Sequence, residues 1–147
     1  VVESLFKIIN PDHVFFGEKD FQQLKIISEL IKILKLKISI HPCPSIRMLN
    51  GISISSRFKK FTNKDLKIFN DISYQIQMFL KNIKGKEDLK NLNNLKKNIY
   101  DFGVNDIEYL EIREEDNLLI SDDIKKSRLF IGLYIGKIRL IDNFLLY

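Results

Sequence analysis

Apolar residues recur at helical spacing from Asp20 to Leu36: Leu24, Ile27, Leu30, Ile31 and Leu34 share one face, with Lys25, Glu29 and Lys32 elsewhere. That periodicity predicts an amphipathic helix. Before it stand Val14, Phe15 and Phe16, closed by Gly17. After it, from Lys37 to His41, Ile38 and Ile40 alternate with polar residues until Pro42 and Pro44 end the run. Strand, helix, strand is the unit of a parallel sheet. A polar stretch follows from Pro44 to Lys60, with Asn50-Gly51 and a Ser55-Ser56 pair. It is long enough for a loop to suggest function.

The pattern then changes. Thr62 and Asp65 have the spacing of a reciprocal helix cap, and Leu66, Phe69, Ile72, Ile76, Phe79 and Ile83 form the stripe of a second helix that Gly85 stops. Leu89, Leu92, Leu95 and Ile99 mark a third, ending near Phe102-Gly103. Ile107 to Arg113 and Leu129 to Ile135 read as strands, and Gly136-Lys137 separates the second from another apolar segment, Ile138 to Ile141. The fold class is therefore α/β at first and α+β afterwards. The boundary is expected near Phe61, giving domains at 1–61 and 62–147.

A chain of 147 residues with 45% hydrophobic and 29% charged positions can bury a core, which excludes a disordered tail. No run approaches the roughly 18 apolar residues of a membrane span, and no signal peptide is recognised, so a cytoplasmic protein with no membrane partner is expected. The net charge of +5 favours anionic ligands without the density of a dedicated nucleic-acid binder. One cysteine, Cys43, excludes an internal disulfide and a cysteine metal cluster, and fits a reducing compartment. No metal-ligating residues are assigned.

Two constellations carry candidate chemistry. The run Phe15-Phe16-Gly17-Glu18-Lys19-Asp20-Phe21-Gln22-Gln23 lies where a strand hands over to a helix, the place where open parallel sheets bind ligands. Gly17 lets a ligand approach the backbone, Lys19 can meet a phosphate, Asp20 can accept from ribose hydroxyls, and Gln23 can reach the same crevice. Asp20 and Gln23 also have capping-box spacing, which spacing alone favours over ligand binding. The second constellation is Ile54-Ser55-Ser56-Arg57. Two hydroxyls and a guanidinium on a glycine-preceded loop suit a polyphosphate, although a solvated surface loop has the same composition.

Taken together, Asn10-Pro11-Asp12, Phe16 to Leu24, Pro44-Ser45-Ile46-Arg47, Gly51, Ser55-Ser56-Arg57 and Arg139-Leu140-Ile141-Asp142-Asn143 closely resemble the pantothenate synthetase (pantoate-beta-alanine ligase) family, in order and with hardly a gap. The resemblance implies the second half of a Rossmann-like nucleotidyltransferase sheet followed by a small α+β lid domain. It implies an ATP-dependent ligase of the coenzyme A pathway, in which (R)-pantoate forms a pantoyl adenylate that β-alanine converts to pantothenate, with Mg2+ on the nucleotide and a homodimeric enzyme. Gly17, Glu18, Lys19 and Asp20 then match the ATP segment, and Gln23 the pantoate contact. Ile46 stands where a valine usually meets adenine through its main chain. Ile54, Ser55, Ser56 and Arg57 match the phosphate loop, and Lys19, Ser55, Ser56 and Arg57 are the implied catalytic residues.

This sequence departs from the family at Met48, usually acidic, at Ile54, usually methionine, and at Phe58, usually asparagine. It also holds no H-x-G-H motif. The resemblance thus implies a C-terminal half that is inactive alone. His13 and His41 are expected to be structural, and Cys43 inert. The lysine series Lys81, Lys84, Lys86, Lys90, Lys96 and Lys97 reads as solvated helix faces, with no nucleic-acid partner. A related adenylate-forming or nucleotidyl-transferring enzyme, and a basic nucleic-acid-binding module, are the alternatives.

Overall fold

The computed structural model describes residues 1–146 and consists of two compact units, Val1–Ser45 and Ile46–Tyr147. In the first, helix α1 (Val2–Ile9) precedes strand β1 (His13–Gly17), a 3-10 turn (Glu18–Asp20), helix α2 (Phe21–Ile33) and strand β2 (Ser39–Cys43). β1 and β2 pair in parallel, with Phe15 opposite His41. Pro42 lies inside β2 instead of ending it, and alternation explains why. Ser39 donates its N–H toward Asp12 next to β1, so two-residue alternation turns the missing N–H of Pro42 to the open edge of the strand.

Phe6, Ile27 and Ile31 form this unit's buried cluster, with Val14, Phe16, Ile38 and Ile40 packed on it, so both helices cover one face of the pair. On the other face Phe15 is 69% exposed and stacks on His41, ring centroids 4.9 Å apart. Ile8, Ile9, Ile26 and Ile33 are exposed as well. A parallel sheet is normally buried on both faces and has more than two strands.

The second unit holds α3 (Asn63–Asn82), α4 (Asn91–Asp101) and an antiparallel sheet in the order β3 (Asp106–Glu114), β4 (Ser127–Ile135), β5 (Ile138–Leu145). The predicted cap is present: Thr62 Oγ1 accepts from the Asp65 N–H, and Asp65 accepts from the Thr62 N–H at 2.9 Å. The Thr62 N–H and the Thr62 hydroxyl, which also donates to the carboxylate at 2.8 Å, hold the Asp65 carboxyl below its ordinary range. Ile68 and Ser73 join Phe69, Ile72, Ile76 and Phe79 on the buried face of α3, whereas Leu66 is 40% exposed. Ile99, Leu129 and Ile135 are fully buried at the centre, each worth roughly 1.5–3 kcal/mol of transfer free energy. All six lysines of the series on α3, α4 and the segment between them are exposed, as solvated faces require.

Packing moves the boundary expected near Phe61 back to Ser45–Ile46. Ile52 is buried in the second core, and Met48, Phe58 and Phe61 pack against it, so residues 46–61 belong to the second unit. Apolar anchors within a stretch of polar composition decided the matter.

Candidate active site

In the first unit, β1 runs out at Gly17, and one 3-10 turn later α2 begins, pinned by the buried Phe21 and Leu24. Asp20 and Gln23 are exposed, while Glu18 and Lys19 are half-buried. The capping box that spacing favoured does not form. Asp20 occupies the N-cap with φ −94° and ψ 59° and makes no side-chain cap hydrogen bond. The preceding 3-10 turn takes its backbone out of the extended region from which N-cap side chains reach the first amides. Its carboxylate is therefore not spent on the helix. Gly17 has φ −68°, and a Cβ built there would meet nothing within 4 Å. The protein's own packing does not demand glycine at this position. The turn thus presents an open backbone, a carboxylate and an amide side chain at the positive end of a 13-residue helix, an arrangement suited to a ligand that has both hydroxyls and anionic groups.

In the second unit, residues 46–54 form a small hairpin. Met48 N–H donates to the Ile52 carbonyl and Ile54 N–H to the Ile46 carbonyl, both at 2.9 Å, and Arg47 and Ser53 are bridged. At the tip Asn50 Oδ1 accepts from the Ile52 N–H, and Gly51 takes φ +81° with the Gln77 side chain filling the space a Cβ would need. The left-handed φ is what favours glycine here, since the Gln77 amide is the far end of a flexible side chain and can move aside. Ser55 then caps the 3-10 turn 56–60 by accepting from the Arg57 N–H, leaving Ser56 and Arg57 exposed. Arg57 Nη1 donates to the Arg139 carbonyl at 3.3 Å. Ile46 and Ile54 are exposed to 76% and 56%. Phe58 does not disturb the loop: its ring lies 4.8 Å from that of Phe69 and 5.5 Å from that of Phe61, seating the end of the turn on the core. Met48 serves similarly near the hairpin tip.

The residues that fix this hairpin come from β5, and sequence reasoning assigned them no role beyond their likeness to a motif. Asp142, 4% exposed in its side chain, accepts from the Ser53 N–H at 2.8 Å and from Arg47 Nη1 at 3.2 Å through the same oxygen. Arg47 also donates to the carbonyls of Gly51 and Asn143, at 2.9 and 2.7 Å, and its guanidinium lies 4.6 Å from the Phe144 ring centroid. Arg128 reaches Asn143 Oδ1 at 2.9 Å and pairs with Glu115. The signal was an acid and an amide side by side between the apolar Ile141 and Phe144, since a buried charge requires a partner. At the far end of β5 Arg139 pairs with Glu108 at 2.7 Å, which holds the guanidinium even more firmly protonated. Glu108 also pushes the Tyr134 hydroxyl up.

His13 Nδ1 and His41 Nε2 lie 3.0 Å apart on the paired strands. Among the described residues no group of three His, Cys, Asp or Glu side chains could hold a metal ion, and no helix is long and apolar enough to cross a membrane.

The sequence model described as Pantoate-beta-alanine ligase matches residues 1–145. The chain belongs to the pantoate-beta-alanine ligase family. Pantothenate synthetase of Azobacteroides pseudotrichonymphae genomovar. CFP2 is 40% identical, the match covering 97% of this chain and 52% of that protein. A bifunctional pantoate ligase/cytidylate kinase of Trichodesmium erythraeum is 36% identical, covering 99% of this chain and 29% of that one. Among solved structures, pantothenate synthetase from Thermus thermophilus shares the fold, with a TM-score of 0.85 at 23% identity over 99% of this chain and 54% of its own. Pantoate-beta-alanine ligase from Francisella tularensis, complexed with beta-gamma ATP and beta-alanine, has a TM-score of 0.78 at 32% identity, over 99% of this chain and 48% of its own. The chain spans about half the length of the single-function pantoate-beta-alanine ligases it matches.

Proposed function

We propose that this chain supplies part of the active site of an enzyme that joins (R)-pantoate to β-alanine at the expense of ATP. The observation that carries this reading is the likeness, along nearly the whole chain, to the Francisella ligase complexed with an ATP species and β-alanine. In the proposed reaction a pantoate carboxylate oxygen attacks the α-phosphorus of ATP and the bond to the β-phosphate oxygen breaks, releasing pyrophosphate. The β-alanine nitrogen then attacks the acyl carbon of the pantoyl adenylate, AMP departs, and the nitrogen loses a proton. Gly17 admits the nucleotide to the backbone, Glu18 and Lys19 complete the ATP segment with Lys19 toward phosphate, and Asp20 accepts from the ribose hydroxyls. Gln23 binds pantoate. Ile46 meets the adenine through its main chain, and Ile54, Ser55, Ser56 and Arg57 line the phosphates. Arg57 uses one N–H on Arg139, and the rest of its planar fork can pair with two phosphate oxygens as charge moves to the leaving group. With no three-ligand cluster among the described residues, Mg2+ would be held chiefly by the phosphates and water, as this ion commonly is. The full-length enzyme is read as a cytoplasmic homodimer.

Pantoate-dependent exchange of pyrophosphate into ATP by the full-length enzyme tests this reading. Arg57→Ala should lower the exchange rate by about 10²–10³ with the fold intact, since the side chain is exposed. Exchange that ignores the substitution would remove Arg57 from the chemistry. Gly17→Ala makes a separate demand. Stability should change by less than about 1 kcal/mol, because the added methyl meets no protein atom, while ATP affinity drops about tenfold. Thermal unfolding and an ATP titration read the two effects. Unchanged affinity would place the nucleotide elsewhere.

A further inference from the structure

We infer that the Arg139–Asn143 stretch of β5 is a positioning element for the phosphate loop, with Arg47 and Asp142 as its working pair. This inference rests on the ATP reading of that loop. Both ends of the 46–57 segment are tied to this one stretch of strand. At the near end Asp142 holds the Ser53 N–H and the Arg47 guanidinium, and the Asn143 carbonyl takes a second Arg47 N–H. At the far end the Arg139 carbonyl takes Arg57. Between those ties the hairpin closes on itself through Arg47 and Gly51. Neither Arg47 nor Asp142 is needed at the phosphates. Asp142 is buried, and two of the Arg47 nitrogens are engaged in three hydrogen bonds within the unit.

The physical consequence is preorganisation. A loop of exposed Ser56 and Arg57 free to sample many conformations would lose backbone and side-chain entropy each time it closed on a polyphosphate. Hydrogen bonds made before the ligand arrives meet that cost during folding instead. The acid and the guanidinium must do this together. Asp142 alone would be a buried charge without a counterion, and a lysine at position 47 could not reach two carbonyls and a carboxylate in one plane.

Two conservative variants test the inference, because each leaves the sheet's apolar core untouched. Arg47→Lys keeps the positive charge and loses the fork. Asp142→Asn keeps the shape and one acceptor and loses the charge. In both, the amides of Ile52, Ser53 and Ile54 should exchange with solvent at least about tenfold faster under conditions where each variant remains folded. ATP affinity of the chain, and KM for ATP in the full-length enzyme, should worsen about tenfold with KM for pantoate unchanged. A purely structural role would leave ATP affinity and the KM for ATP alone, and that result overturns the inference. If the wild-type protein binds ATP and both variants bind it equally well, the inference fails while the ATP reading stands. If the wild-type protein shows no ATP binding at all, both fall together.

Discussion

The 147-residue chain alone is expected to bind ATP only weakly and to give no pantoate-dependent pyrophosphate exchange. Two observations lead there. Its two histidines, His13 and His41, sit on β1 and β2 and hydrogen-bond to each other, and neither belongs to an H-x-G-H run. Each preorganised donor missing from an adenylation site costs about 3 kcal/mol in the transition state, so losing even two takes the rate down by several powers of ten. The first unit is also short of partners. Its sheet has two parallel strands, with Phe15 69% exposed on a face that such a sheet would normally have covered, and on its helices Ile8 and Ile33 are 79% and 73% exposed. The assay is direct: labelled pyrophosphate, ATP, Mg2+ and pantoate with this chain, beside a full-length enzyme. Substantial exchange by the chain would contradict the proposal that the other half of the family's length supplies essential groups.

The largest stability effect is expected at Asp142. Replacing it with alanine leaves the Ser53 N–H without its acceptor and the Arg47 guanidinium without its carboxylate, in a site where the Asp142 side chain is only 4% exposed. Leaving the buried Ser53 N–H unsatisfied costs about 1–3 kcal/mol. The Arg47 guanidinium, 31% exposed and still bound to two carbonyls, adds less than a fully buried charge would. The total is a large share of the roughly 5–15 kcal/mol that holds a domain of this size folded. Ser53 provides the internal contrast. Its hydroxyl is buried without a hydrogen-bond partner, so Ser53→Ala should be neutral or stabilising although the residue is 1% exposed. Urea denaturation of the two variants measures both. A cost below about 1 kcal/mol for Asp142→Ala would mean that water substitutes for the carboxylate and that the network carries little energy.

Much of this arrangement was legible in the residues. The period-3.6 stripe of α2, the Thr62–Asp65 cap and strands β3 and β4 follow from local patterns, and the structure reproduces them with small changes at their ends, while the apolar segment Ile138–Ile141 proves to be the first half of β5. The errors have physical causes. Pro42 read as a stop because a proline removes a ladder donor, yet on an open strand edge no donor is required. Asp20 and Gln23 read as a cap because spacing reports nothing of the 3-10 turn before the helix, and that turn decides the N-cap dihedrals. Residues 46–61 read as part of the first domain because their composition is polar. Ile52, Met48, Phe58 and Phe61 are few, but all four turn into the second core. The link from Arg47 to Asp142 spans 95 positions, a distance at which no periodicity speaks. Only the oddity of an acid in a mostly apolar strand hinted at it.

The proposed function stands or falls on whether the Gly17–Asp20 turn and the Ser55–Arg57 turn each respond to ATP. An ATP titration of isotope-labelled protein, followed through the backbone amide resonances of these residues, decides it. Gly17, Lys19, Asp20, Ser55, Ser56 and Arg57 should all shift and saturate. Shifts confined to one turn would contradict the assignment of nucleotide-binding residues to the other.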